Sequence, residues 1–184
     1  MIKTEHQSNT EMDTEQLFTL SVFTENRVGL LGRISVLLTR HHVHIERITV
    51  SESEPVGVRR HTLILHTTRV KAVKVTAQLR KLVDVLEVSL HTSEQLVTWE
   101  LALFKLHESV ANKARAMQVV RLHQARILEL DPEFMIIEKT GHYETIEALK
   151  KELEPYGILE FSRSGPVTIT RPVPELKSIL GRNQ

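Results

Sequence analysis

The chain has 184 residues, 41% of them hydrophobic, enough for one ordinary domain or two small ones. A formal net charge of +1 gives no electrostatic ground for nucleic acid or an anionic membrane, and 4% aromatic residues are too few for base-stacking platforms. Cysteine is absent, which excludes disulfides, thiolate metal sites and cysteine nucleophiles.

Residues 1–16 mix Thr, Glu, Gln, Ser and Asp and read as a flexible tail without the apolar core of a signal peptide. No apolar run approaches the roughly 20 residues that span a bilayer, so a cytoplasmic protein is expected. Phe18 to Phe23 alternates apolar and polar side chains, the period of a half-buried strand. Leu30, Leu31, Ile34, Leu37 and Leu38 then recur at helical spacing. The strand therefore turns into a helix at Asn26 to Gly29. Asn26 is expected to supply the N-cap oxygen, and Gly29 lets the backbone approach another group closely. The exposed N–H groups of that first turn, at the positive end of the helix dipole, suit a carboxylate or phosphate. An ordinary capped helix is the plain alternative at this point, because every helix has such an end.

His44 to Val50, rich in β-branched residues, predicts a second strand, and Ser53 to Gly57 a hairpin loop. Arg60 to Thr67 predicts a third strand, Val70 to Lys81 a second helix, and Val83 to Leu90 a closing strand. The order is β-α-β-β-α-β, the ferredoxin-like arrangement. The same order returns without obvious sequence identity. It runs through a strand over Val97 to Leu106, a helix over Ala111 to Gln124, and a hairpin of Arg126–Leu130 and Phe134–Glu138 around Asp131-Pro132-Glu133. A helix over Glu144 to Glu154, introduced by Thr140 and Gly141, and a strand over Gly157 to Ser162 complete it. Val167 to Thr170 adds a short extended piece, and Pro172 and Pro174 prevent a long helix after it. The fold class is α+β, two ferredoxin-like units of one sheet and its helices, divided near His91 to Gln95. Each unit is small, so an uncovered sheet face or edge is expected to pair with a second copy.

Local chemistry is sparse. The ten histidines include His41, His42, His44, His61 and His66, but no compact metal-ligand spacing is present, and surface or strand-edge histidines are the expectation. His44 and His66 lie on adjacent strands whose register the sequence leaves open. Glu25 and Glu46 read as solvated. No nucleophile elbow, P-loop or dinucleotide fingerprint occurs, so nothing local supports catalysis.

Glu25-Asn26-Arg27-Val28-Gly29-Leu30-Leu31-Gly32-Arg33, followed by Ile45-Glu46-Arg47-Ile48-Thr49-Val50 and Lys81-Leu82-Val83-Asp84-Val85, resembles the regulatory small subunit of acetolactate synthase. Ile137-Glu138-Lys139-Thr140-Gly141, Glu154 to Glu160 and Arg163-Ser164-Gly165 resemble the C-terminal domain of that family. The first half alone would indicate only an ACT domain, a module of many amino-acid-regulated proteins. The resemblance implies an ACT domain over 17–92, a C-terminal ferredoxin-like domain over 93–171 and a tail over 172–184. It implies a non-catalytic subunit that activates a large catalytic subunit in branched-chain amino-acid biosynthesis. Thiamine diphosphate, Mg and FAD are expected on that catalytic subunit, and no cofactor on this chain. It further implies a homodimer through the ACT domains, with a feedback inhibitor, usually valine, at the interface. The effector-binding residues would be Asn26, Val28, Gly29, Leu30, Leu31, His44 and Ile45. This chain departs from the family where Asn usually precedes Ile-Glu and grips the ammonium: the residue is His44. A neutral imidazole accepts a hydrogen bond from an ammonium and a protonated one repels it. Valine response is therefore expected to depend on pH or to be lost. The family's usual Gly two residues earlier is His42, preceding Val43, at the helix C-cap. A stand-alone ACT-type sensor for another enzyme, or a metal-responsive ferredoxin-like regulator, are the alternatives.

Overall fold

The computed structural model describes residues 14–107 and 110–171. The tail over 1–16 lies outside these except for its last three residues, and Pro172 and Pro174 lie outside them too. The elements are β1 (Gln16–Glu25), α1 (Leu30–Arg40), β2 (His44–Glu52), β3 (Val58–Thr67), α2 (Arg69–Leu79) and β4 (Val85–His91). After a 3₁₀ turn at Ser93–Gln95 come β5 (Leu96–His107), α3 (Val110–Leu122), β6 (Arg126–Leu130), β7 (Phe134–Gly141) and α4 (Tyr143–Leu153). A second 3₁₀ turn at Glu154–Tyr156 precedes β8 (Ile158–Arg163) and β9 (Val167–Thr170).

The chain divides into two compact units, residues 1–97 with 168–184, and residues 98–167. The first has an antiparallel sheet of order β2-β3-β1-β4, the second one of order β6-β7-β5-β8, with β9 also pairing β5. Both are the expected β-α-β-β-α-β fold. Thr168 to Arg171 joins the first unit: the Arg60 guanidinium donates to Thr168 Oγ1 at 2.9 Å, and Arg171 N–H to the Gln95 carbonyl at 2.9 Å.

In the first unit Leu20, Val22, Leu63, Leu65 and Val88 alternate out of the sheet onto Leu30, Ile34 and Leu38 of α1 and Val75 and Leu79 of α2. The second core repeats this with Phe104, Leu106, Met135 and Ile137 against Ala116, Val120, Ile146, Leu149 and Leu153. Burying such side chains supplies roughly 1.5–3 kcal/mol each, which is why a small unit holds with so few.

Strand β2 sits at the sheet edge and carries a bulge between Ile45 and Arg47. The extra residue, Glu46, resets the alternation. Ile45 opposes Leu65 before it; Ile48 opposes Leu63 and Val50 opposes His61 after it, all on the helix side. The register left open by the sequence places His44 directly opposite His66. Thr140 and Gly141 do not introduce α4 as expected: they end β7, and His142 occupies the cap.

Both units close their first helix in the same way. At the end of α1, Val43 N–H donates to the Leu38 carbonyl (3.1 Å) and His42 N–H to the Thr39 carbonyl (3.0 Å), a Schellman motif that puts His42 at φ 52°. At the end of α3, Ala125 N–H donates to Val120 and Gln124 N–H to Arg121, with Gln124 at φ 51°. The left-handed conformation strains a side chain with a Cβ, which is a mechanical reason for glycine at either position. His42→Gly and Gln124→Gly are each expected to stabilise by about 0.5–1 kcal/mol, after subtracting the added freedom of glycine in the unfolded chain. Thermal unfolding of the two single variants measures this.

Candidate functional site

The chain from β1 to α1 is held by backbone hydrogen bonds rather than by a side-chain cap. Glu25 N–H donates to the Asp84 carbonyl (3.0 Å) and Asn26 N–H to the Gly57 carbonyl (3.1 Å), so this loop is tied to the β2–β3 hairpin and to the approach to β4. The Arg33–Asp84 ion pair fastens the same corner from the helix side. The N-cap is Gly29, not Asn26 as expected, at φ 82° and without any side-chain cap hydrogen bond. Arg33 N–H closes the first helical bond onto the Gly29 carbonyl (3.2 Å), so the amides of Leu30, Leu31 and Gly32 precede the hydrogen-bonded ladder. No acidic residue stands in that first turn, and a Cβ built on Gly29 would meet nothing within 4 Å. The helix start is open.

A hollow of 280 Å³ lies over it, lined by Glu25, Asn26, Arg27, Gly29, Leu30, Leu31, Val50, Arg59 and His61. Of the residues singled out by sequence, Asn26, Gly29, Leu30 and Leu31 meet here. Val28 projects fully into solvent next to it. His44 and Ile45 do not line the hollow of their own chain: α1 and β2 run in opposite directions, so they lie beside the end of α1. In their place the fold brings Val50, Arg59 and His61.

His61 was expected at a surface or strand edge and is instead only 5% exposed, because its register partners Val22 and Val50 point to the helix side. Thr24 Oγ1 donates to the Glu25 carbonyl (3.0 Å), so it accepts from His61 Nε2 at 3.1 Å. This arrangement suits the tautomer with its proton on Nε2, and Nδ1 is buried without a partner among the described residues. Burial, with the Arg59 charge second, holds the His61 pKa below the ordinary 6.5. His91 is lowered likewise by burial and then by Arg60. Because the unfolded chain binds protons that these two folded sites refuse, stability is full above 6.5 and declines as pH falls below it. Thermal unfolding across mildly acidic pH is expected to show this slope, and His61→Gln to flatten it.

Among the described residues no three His, Asp or Glu side chains group as metal ligands, and no helix is long and apolar enough to cross a membrane. Glu25 pairs with Arg27 at 3.0 Å on the surface, which fits its reading as solvated.

The family profile of the ACT domain matches residues 18–84, and that of the small subunit of acetolactate synthase residues 99–172. An acetolactate synthase small subunit of Mycobacterium bovis is 33% identical over 153 residues, 83% of this chain and 91% of that protein. The chain belongs to the acetolactate synthase small-subunit family. A Bacillus subtilis small subunit is 35% identical over 158 residues, covering 85% of this chain and 91% of its own. The crystal structure of the Thermotoga maritima small subunit superposes with a TM-score of 0.79 at 27% identity, covering 86% of this chain and 99% of that one. As a small subunit of acetolactate synthase, the chain carries a regulatory ACT unit whose helix start is the one described above, and it implies a catalytic subunit as partner.

Proposed function

We propose that this regulatory subunit activates a thiamine-diphosphate-dependent acetolactate synthase catalytic subunit and makes it sensitive to a branched-chain amino acid, valine foremost. The observation that carries the effector half is the uncapped start of α1 at Gly29. The ligand carboxylate would lie on the amides of Leu30 to Gly32, at the positive end of the helix dipole. Neutral His61 stands in the wall without adding a positive charge that would oppose the ammonium, and Val50 and Leu31 give the aliphatic side chain an apolar surface.

His44 enters through a second copy. Among the described residues strand β2 is an edge paired only with β3, with Ile48 38% and Val50 43% exposed. Antiparallel pairing of two such edges about Ile48 would set one copy's His44 opposite the other's Glu52. That is the end of the strand next to the helix-start hollow. The family's effector position and the hollow would then meet across a dimer axis, which supports homodimerisation through the ACT units. The matched C-terminal profile favours this reading over a stand-alone ACT sensor.

The test mixes the full chain with a catalytic subunit supplied with thiamine diphosphate, Mg and FAD, and measures acetolactate formation with and without valine. The chain alone is expected to be inactive and to raise catalytic-subunit turnover, and valine to reverse the gain. Turnover by the chain alone, or no change at any mixing ratio, would overturn the activating role.

A further inference from the structure

The first unit has a second and larger hollow, of 740 Å³, that shares no lining residue with the one at the helix start. Since Leu20 and Val22 point to the helices, Ser21 and Phe23 point to the opposite sheet face, and the register adds Arg60 beside Phe23 and Ser89 beside Ser21. Ser51, Ser53 and Thr170 bring further hydroxyls, and Phe23 and Ile169 apolar surface.

Arg60 is the cation of this hollow. Its Nη2 donates to Ser21 Oγ (3.3 Å) and Thr168 Oγ1 (2.9 Å), both neutral, and its plane lies over Phe23 at 5.6 Å. Its Nε is buried without a hydrogen-bond partner among the described residues. Glu52 on the rim is engaged by Arg59 at 3.3 Å, and Glu54 also stands there, on the hairpin side. A guanidinium is an always-charged fork of donors matched to carboxylate and phosphate, and one left half-used in a hollow calls for an anion.

We infer that this hollow binds a small polyhydroxylated organic anion, its carboxylate or phosphate on Arg60 and its hydroxyls on the serine and threonine side chains. The volume lies within the usual range of small-molecule sites and exceeds what an inorganic ion requires. Burial and the neighbouring Arg60 hold the His91 pKa down, so at neutral pH its imidazole is a neutral hydrogen-bonding group of this hollow. The inference does not rest on the effector reading above, since the two hollows are separate.

The test titrates the ¹⁵N-labelled full chain with gluconate and with glycerol phosphate, which separates carboxylate from phosphate, and with glucose as the uncharged control. The Arg60 Nε–H resonance is expected to shift saturably with at least one of the anions and not with glucose. In calorimetry Arg60→Gln should abolish binding, and Arg60→Lys, which keeps the charge but loses the fork, should weaken it by about tenfold or more, 1.4 kcal/mol for each factor of ten. A resonance unmoved by either anion would overturn the inference, whether or not the variants fold. So would Arg60→Gln binding as wild type does. Arg60 would then only tie β3 to the residues of β9.

Discussion

Gly29→Asp is expected to leave a folded chain that still activates its catalytic subunit but no longer responds to valine. At φ 82° any side chain is strained, yet a Cβ here meets open space, and Asp is among the residues that best tolerate the left-handed region. The cost to folding is therefore about 1–2 kcal/mol. The cost to binding is larger. A carboxylate placed at the cap competes for the same helix-start amides and repels a ligand carboxylate. Like charges at about 4 Å cost about 1–4 kcal/mol over the dielectric range of a protein surface. At 1.4 kcal/mol per decade that is a loss of about fivefold to nearly a thousandfold in affinity. Gly29→Asn carries the same backbone strain without the charge, and so isolates electrostatics from geometry. His44→Asn, which restores the family's amide, is expected to strengthen valine binding and to remove its dependence on histidine protonation. Calorimetric titration of valine, leucine and isoleucine into the four proteins decides the matter. A folded Gly29→Asp chain that bound as tightly as wild type would place the effector elsewhere.

Most of the fold was legible because each half states its own periodicity. Phe18 to Phe23 alternates, Leu30 to Leu38 recurs at helical spacing, and Pro132 and Gly57 mark the hairpins. What the sequence conceals is whatever depends on distant register. His61 sits in a strand of mixed composition and reads as one more histidine among ten. Only its pairing with Val22 and Val50 turns it inward and places it at the helix-start hollow. The bulge at Glu46 is equally silent, because an extra residue has no signature of its own, yet it decides which face Ile48 and Val50 occupy. Asn26 misled for a physical reason. Its side-chain chemistry suits an N-cap, but it lies three residues before the actual cap, Gly29, and its backbone N–H is bound to the Gly57 carbonyl. Arg60 begins a predicted strand, and its contacts with Ser21, Phe23 and Thr168 are a fact of the sheet face, not of its neighbours in sequence.

The second unit conceals a pair of the same kind, and it carries the largest expected loss of stability. Glu100 on β5 is 2% exposed and its carboxylate lies 3.5 Å from Nε of Arg163 on β8, while Nη2 of that guanidinium donates to Glu147 of α4 at 2.5 Å. Arg163 is also stacked over Tyr143, at 4.5 Å, and over Phe161, at 5.4 Å. One side chain thus links two strands and a helix while neutralising a charge that water cannot reach. Arg163→Met keeps the aliphatic packing and takes this cation away from the buried Glu100 carboxylate, and is expected to destabilise this unit by about 3–5 kcal/mol. Trp99 is the only tryptophan of the chain and belongs to residues 98–167, so its fluorescence reports unfolding of this unit in particular. With a urea dependence of about 1–3 kcal/mol per molar, the midpoint should fall by at least about 1 M. Replacing the acid as well, in Arg163→Met with Glu100→Leu, removes the buried charge, and most of the stability should return. A double variant as unstable as Arg163→Met alone would show that the arginine acts through its stacking on Tyr143 and Phe161, and not by holding the buried carboxylate.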